Sequence, residues 1–355
     1  MKENRIMWLD ITRSLAISSI VFCHALQQAL NMTNNEWQNF GVMSRLLWAS
    51  GLTFGRLGVP LFLCISGSLL LRKEFLTNND GIAFYKKNLM PLFISVEVWL
   101  VAYEALIGIR YHNFPGIRNV ILEALFLKPP ILNHMWYMPV IMVLYVAVPF
   151  FCLIKKYFSR KLLKYPITIC AFYSIIIPSA NLLFRTLKYE GFSSSIDISL
   201  LGGCYGVYFI VGYWFSKDGI RSISTKMVWI ISLFNFILSF AFLYLCADAG
   251  IEYNLWYDFL TLFIASIFLF EAIHRMESVV LAEPIQRIIT YMSKYSLGIF
   301  FLHRPIQMAM YRPLKNQPIS VAVSIGFFCS IILSFVIVKL FARIKFLKKY
   351  VFLVK

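Results

Sequence analysis

Apolar runs long enough to cross a lipid bilayer dominate the sequence. A membrane-spanning helix needs about 20 mostly apolar residues. Ten runs approach or meet this length, at residues 9–30, 48–71, 88–107, 137–154, 165–184, 200–216, 227–247, 256–273, 295–311 and 319–341. Only 14% of the residues are charged, against about 25% in a typical soluble domain. The pattern predicts an all-α, polytopic integral membrane protein in which residues 1–355 form a single transmembrane domain.

The basic residues between these runs predict the orientation of the chain. If the N-terminus is cytoplasmic, the segments on that side hold 22 Lys and Arg residues and the opposite loops hold 8. Cytoplasmic loops of membrane proteins carry the excess of Lys and Arg. Both termini are therefore predicted to be cytoplasmic. Membrane topology also explains the net charge of +17, and no nucleic-acid partner is expected because no RNA- or DNA-binding motif is present.

The cysteines give no indication of a metal site. All seven lie in or at the edge of apolar runs, and none forms a CxxC pair. Neither a zinc site nor a disulfide framework is expected, and we expect no metal and no permanently bound cofactor. No residue pattern specifies an oligomeric state.

The first apolar run carries a stripe of ionisable residues: Asp10, Arg13 and His24. At 100° per residue, all three share one face of a helix. Ionisable groups inside a membrane are costly and are candidates for function. We interpret Asp10, Arg13 and His24 as candidate catalytic residues, with His24 as a base for an attacking hydroxyl. The alternatives are a structural i,i+3 ion pair for Asp10 and Arg13, and a histidine that only bonds a neighbouring helix.

Other polar and aromatic residues in or beside the runs are candidates for binding substrate or donor. They are Arg56, Ser66, Lys86, Lys87, Glu104, Trp136, Tyr137, His303 and Arg304. Packing alone does not readily explain a buried His303–Arg304 pair. Trp136 and Tyr137 fit either a sugar-binding platform or an interfacial aromatic belt.

Two of these candidates have further interpretations. Glu104 fits a group that orients a histidine, a partner for Arg56, or a solvated group at a cavity edge. Ser66 is more simply explained with Gly67 as a site of close helix approach than as a nucleophile, since no G-x-S-x-G motif is present.

Four motifs occur in order along the chain. They are Trp8-Leu-Asp10-Ile-Thr-Arg13 with His24 following, Gly58-Val-Pro-Leu-Phe-Leu-Cys-Ile-Ser-Gly67, His134-Met-Trp-Tyr137 with Tyr145 and Pro149 following, and Tyr295-Ser-Leu-Gly-Ile-Phe-Phe-Leu-His303. With these motifs the chain resembles, over nearly its whole length, the acyltransferase 3 family of bacterial membrane proteins. That family includes O-acetyltransferases of surface polysaccharides and fucose 4-O-acetylase-like enzymes.

The resemblance implies a ten-helix core in the bacterial cytoplasmic membrane, an acyl-coenzyme A donor (most simply acetyl-coenzyme A) on the cytoplasmic side and a glycan hydroxyl as acceptor. Arg13 and His24 match the arginine and histidine that the family treats as essential. The family's arginines before a proline are replaced here by Tyr85-Lys-Lys-Asn-Leu-Met-Pro91, and lysine supplies charge without the bidentate fork of arginine.

A mechanism follows as a hypothesis. Lys86, Lys87 and Arg13 would hold the coenzyme A phosphates, His24 would deprotonate the acceptor hydroxyl, and Arg56 would stabilise the oxyanion. Direct transfer and an acyl-histidine intermediate both fit. The main alternative is a membrane transporter or flippase that uses the intramembrane charges as a substrate path, and the absence of an internal repeat counts against it. A sensor that binds a ligand without turnover is a second alternative.

Overall fold

The computed structural model describes residues 5–33, 37–114, 116–196, 198–199, 202–251 and 255–354. These residues form helices and no β-strand. The α-helices are α1 (Met7–Thr33), α2 (Val42–Arg56), α3 (Gly58–Leu70), α4 (Asn78–Phe84), α5 (Met90–Tyr111), α6 (Ile117–Ala124), α7 (Tyr137–Tyr157), α8 (Arg160–Ala171), α9 (Ile177–Thr186), α10 (Gly203–Asp218), α11 (Thr225–Asp248), α12 (Leu260–His274), α13 (Glu283–Ala309), α14 (Tyr311–Leu314) and α15 (Ile319–Phe341).

Seven helical segments in the described part of the chain are long and apolar enough to cross a membrane. They are Met7–Asn31, Val42–Leu70, Asn78–Tyr111, Asn133–Tyr157, Arg160–Thr186, Thr225–Asp248 and Ile319–Phe341. The predicted all-α, polytopic membrane protein is confirmed. The remaining predicted runs overlap α10, α12 and α13, and residues 200 and 201 lie outside the described residues. The number of crossings and the side of the termini stay predictions.

Several helices begin earlier than their apolar runs. The third predicted run begins at residue 88, but its helix begins at Asn78, where the Thr77 hydroxyl and the Asp80 carboxylate form a capping box. A π-helical turn, Tyr85–Leu89, joins α4 to α5. Likewise α13 begins at Glu283, with a proline in its first turn, although the predicted run begins at 295. Apolar length therefore underestimates helices whose first turns lie outside the hydrocarbon layer.

The polar first helix lies inside the bundle. In the most apolar stretch of α1, 67% is buried, and in that of the α2–α3 segment, 78% is buried. The corresponding share in the other five candidate spans is 22% to 39%. α1 packs against α13, α15, α2 and α3. The outer helices therefore offer the lipid-facing surface, and the polar stripe of α1 faces protein.

Close approach of α3 and α10 confirms a small-residue contact at Gly67. A Cβ atom on Gly67 would lie 1.7 Å from the Phe209 carbonyl oxygen, and one on Gly212 would lie 2.4 Å from the Cα atom of Cys64. Only glycine fits at these two positions unless the backbones separate. Ser66, next to Gly67, is half-buried on α3.

α1 and α13 run in the same direction. Asp10 contacts Ser293, His24 stacks on His303, and the Gln28 side chain donates to the Gln307 carbonyl. Residue numbers rise together along both helices, as expected for the first and ninth of ten consecutive crossings. This helix pair carries most of the candidate site.

Candidate active site

A basic cavity of about 820 Å³ opens where α1 begins. Seven of its lining residues are cationic: Arg5, Arg13, Lys87, Lys294, Lys345, Lys348 and Lys349. Asp10 is the one acidic residue among those that line it. A concave surface lined by one sign of charge concentrates ligands of the opposite sign. The cavity therefore suits a polyanion.

Asp10 connects α1 to its surroundings and fixes the position of Arg13. Its carboxylate is buried, accepts a hydrogen bond from the Ser293 hydroxyl of α13, and pairs with Arg5 at 3.4 Å and with Arg13 at 3.7 Å. The i,i+3 ion pair is thus present. The Arg13 side chain retains 29% of its accessible surface and lines the cavity. A catalytic role for Asp10 stays a prediction.

Three histidines from three different segments meet farther along α1. The His24 ring stacks on the His303 ring of α13, with centroids 5.3 Å apart and planes 29° apart. His134, just before α7, lies edge-on to both, 5.0 Å from His303 and 6.2 Å from His24. His24 is half-buried, and the other two are buried. We call these residues the histidine cluster.

Hydrogen bonds assign the ring protons of two members. The Nδ1 atom of His24 lies 3.1 Å from the Gln27 amide oxygen, and that of His303 lies 3.1 Å from the Ile299 carbonyl oxygen. An oxygen of either kind only accepts, so Nδ1 carries the proton in each neutral ring. The lone pair is then on Nε2 in both residues. An unprotonated Nε2 on His24 could accept a proton from a hydroxyl.

His134 differs from the other two rings. It is 3% exposed, and neither of its ring nitrogens has a hydrogen-bond partner among the described residues. A buried polar atom without a partner costs about 1–3 kcal/mol. Beside a candidate base, these two nitrogens could bond a polar group of a ligand. Sequence reasoning used His134 only as part of a motif, although an ionisable residue beside an apolar run was the signal available.

Two arginines flank the histidine cluster, and both are held by protein groups. Arg304 donates to the Gln307 amide oxygen at 3.1 Å and lies 3.5 Å from the Gln28 amide oxygen. Arg56 is buried, and its guanidinium lies 4.8 Å from the centroid of the Trp256 ring. Both cations lie within electrostatic range of His24. The histidine cluster therefore lies in a region of positive charge.

A group of aromatic rings packs against one side of Arg56. Trp136 is half-buried and stacks on Tyr257 at 5.6 Å, with Trp256 at 5.2 Å and Tyr205 at 5.8 Å. We call these four residues the aromatic group. Tyr137 is instead buried against Phe300, at 6.2 Å between centroids. Of the two predicted platform residues, Trp136 is the more accessible.

The remaining candidates are spread over the molecule. Lys87 lines the basic cavity, whereas Lys86 is exposed on the π-helical turn and is not among the cavity-lining residues. Glu104 is buried beside Glu123 of α6. Burial and the neighbouring Glu104 raise the pKa of Glu123 to about 7.

Within the described residues, no three or more His, Cys, Asp or Glu side chains are grouped to hold a metal ion.

A bundle of long apolar helices around a buried polar centre defines a multi-pass membrane protein. The acyltransferase domain of the acyltransferase 3 family matches residues 6–339, so the chain belongs to this family. The resemblance seen in the sequence is confirmed, and the protein is a membrane acyltransferase. No curated protein and no solved structure gives a significant match.

Proposed function

We propose that the protein transfers an acyl group, most simply acetyl, from acyl-coenzyme A to a hydroxyl of a surface or lipid-linked glycan in the bacterial cytoplasmic membrane. One observation carries the proposal: the same helix pair, α1 and α13, holds a basic cavity at one level and the histidine cluster at another. A donor entering by the cavity and an acceptor arriving from the other side would meet at His24.

The basic cavity supports coenzyme A as the donor. Coenzyme A carries a pyrophosphate and a ribose phosphate, and Arg13 and Lys87 are among the seven cations that would bind these groups. Eleven residues at about 1.5 Å each separate Arg13 from His24 by roughly 16 Å along the axis. The flexible pantetheine arm would cover this distance and bring its thioester to the histidine cluster.

The tautomer of His24 supports its role as general base. The acceptor hydroxyl would donate its hydrogen bond to Nε2 and give up its proton as its oxygen attacks the thioester carbon. Arg56 would stabilise the oxyanion that forms. The carbon–sulfur bond then breaks, and the Nε2 proton passes to the coenzyme A sulfur, which leaves as a thiol.

The aromatic group supports a sugar as the acceptor. Aromatic faces pack against the apolar faces of sugar rings and leave the hydroxyls to polar groups. Trp136 belongs to the segment that also carries His134, so a sugar on this ring would lie beside the histidine cluster. Arg56 packs against the same aromatic group, so a sugar on Trp136 would lie near the cation that stabilises the oxyanion.

The test is acyl transfer in membranes that contain the wild type or His24→Asn, with labelled acetyl-coenzyme A and the glycan of the host cell. We expect His24→Asn to lose at least about 100-fold in rate, the lower range for a general base. His112→Asn is the matched control, because His112 is exposed at the end of α5 and its left-handed backbone suits asparagine. Wild-type rates in His24→Asn would remove the base, and movement of unmodified glycan without acylation would favour a transporter.

A further inference from the structure

The last turns of the chain complete one wall of the basic cavity. After α15 the backbone turns and forms a second π-helical turn, Leu347–Val351. Lys345, Lys348 and Lys349 line the cavity together with Leu353 and Val354. We call residues 345–354 the C-terminal segment. Three of the seven cavity cations thus come from a part of the chain that follows the last apolar helix.

Hydrogen bonds and apolar packing hold this segment in place. The Val351 carbonyl accepts from the Ser95 hydroxyl at 2.8 Å and from the Trp99 indole N–H at 3.0 Å, both on α5. Phe352 is buried, and its ring lies 5.9 Å from that of Trp99. A segment held in this way presents its lysines in a defined position.

The three lysines lie at the rim of the cavity. Their side chains are exposed, whereas Arg13 is half-buried two turns into α1. A donor whose thioester points along α1 toward His24 has its nucleotide at the opposite end, near the rim. The group that ends the nucleotide of coenzyme A is a ribose 3′-phosphate, a monoester that carries up to two negative charges. Lysine ammonium groups bind such a compact, highly charged group well.

The family match ends at residue 339, before the first of these lysines. We propose that the C-terminal segment binds the terminal phosphate monoester of the donor and makes this acyltransferase selective for 3′-phosphorylated carriers. This inference rests on the proposed function, since it assumes a nucleotide thioester as the donor. It assigns the ribose 3′-phosphate to Lys348 and Lys349, and leaves the pyrophosphate to Arg13, which is less exposed.

The experiment compares acetyl-coenzyme A with acetyl-3′-dephospho-coenzyme A in the full-length protein. For the wild type we expect a KM about 10- to 100-fold lower with the phosphorylated donor, the range for a hydrogen bond to a charged group. In the double variant Lys348→Ala/Lys349→Ala, the KM for acetyl-coenzyme A should rise to that of the dephospho donor, with kcat unchanged. The double variant Lys161→Ala/Lys164→Ala, on exposed lysines of α8, removes the same charge elsewhere and should keep the wild-type ratio.

A second variant tests the placement of the lysines instead of their charge. Ser95→Ala removes one hydrogen bond to Val351 and retains all three lysines, so the preference for the phosphorylated donor should fall by a smaller factor. Equal KM values for both donors in the wild type would overturn the inference and leave the acyltransferase reaction intact. A Lys348→Ala/Lys349→Ala variant whose KM rises by the same factor for both donors would also overturn the inference.

A binding readout separates the two proposals. Thermal stabilisation of the purified protein by coenzyme A and by 3′-dephospho-coenzyme A requires no turnover. Stronger stabilisation by coenzyme A, lost in Lys348→Ala/Lys349→Ala, supports the phosphate site even if no glycan is acylated. Equal stabilisation by the two ligands in the wild type contradicts it.

Discussion

Replacing His134 by phenylalanine should move stability and activity in opposite directions. The imidazole is 3% exposed and lies between the rings of Tyr103, Phe300 and His303, with centroids 5.7, 5.2 and 5.0 Å away. Neither of its nitrogens is hydrogen-bonded to a described residue. A phenyl ring has a similar shape, adds only a little volume and has no polar atom that needs a partner.

The expected gain in stability follows from those two nitrogens. Each buried atom without a partner costs about 1–3 kcal/mol. The larger ring offsets part of this gain, because overpacking a core costs about 1–3 kcal/mol. The two atoms together cost about 2–6 kcal/mol and overpacking returns about 1–3 kcal/mol, so we expect His134→Phe to raise the free energy of unfolding by about 2 kcal/mol. Acyl transfer should fall by at least about 10-fold, since the phenyl ring cannot bond the acceptor.

Unfolding midpoints in detergent and initial rates of acetyl transfer measure the two effects. His134→Gln is the matched variant, because an amide keeps both a donor and an acceptor, and it should retain more activity than His134→Phe. A marked loss of stability in His134→Phe would show that the imidazole has a structural partner. Full activity in that variant would show that His134 does not contact substrate.

Three further results are expected. Because the pKa of Glu123 is raised above its ordinary value to about 7, the folded state binds the proton more tightly than the unfolded state. Stability should then fall, by at most about 3 kcal/mol, as the pH rises from the ordinary carboxyl range through about 7. Glu123→Gln should flatten a plot of unfolding midpoint against pH, and an unchanged slope would contradict the assignment. Gly67→Ala should lower the free energy of unfolding by more than about 3 kcal/mol, since its Cβ atom would meet the Phe209 carbonyl; Gly81→Ala, with open space around it, is the control, and equal midpoints for the two would refute the close contact. Asp10→Asn should raise the KM for acetyl-coenzyme A several-fold by releasing Arg13, whereas an unchanged KM would show that Arg13 needs no partner.

Helical periodicity was sufficient to place the ionisable residues of α1 on one face. Asp10, Arg13 and His24 share a face, and that face meets α13 through Ser293 and His303. The last predicted run, 319–341, has the same bounds as α15. Both results depend on local properties, namely apolar length and the angle between successive side chains, which a sequence displays directly.

The features that the sequence did not predict depend on contacts between distant segments. His134 joins the histidine cluster because the turn before α7 packs against α13. In the sequence, the lysines at 345, 348 and 349 served only to predict topology. They line the cavity because the Val351 carbonyl accepts a hydrogen bond from Ser95 of α5, which holds this segment against the bundle. A backbone carbonyl leaves no trace in residue type or spacing, so this attachment is not visible in the sequence.

The parallel α1–α13 pair has a consequence for the size of the donor. Asp10–Ser293 and His24–His303 join α1 and α13 at two depths, so the packing of these two helices sets the span between the cavity and the imidazoles. A donor that lacks the pantothenate unit would carry its acetyl-cysteamine directly on the nucleotide. Such a donor would bind by its phosphates, but its thioester would not reach His24. Discrimination between carriers would therefore arise from reach as well as from charge.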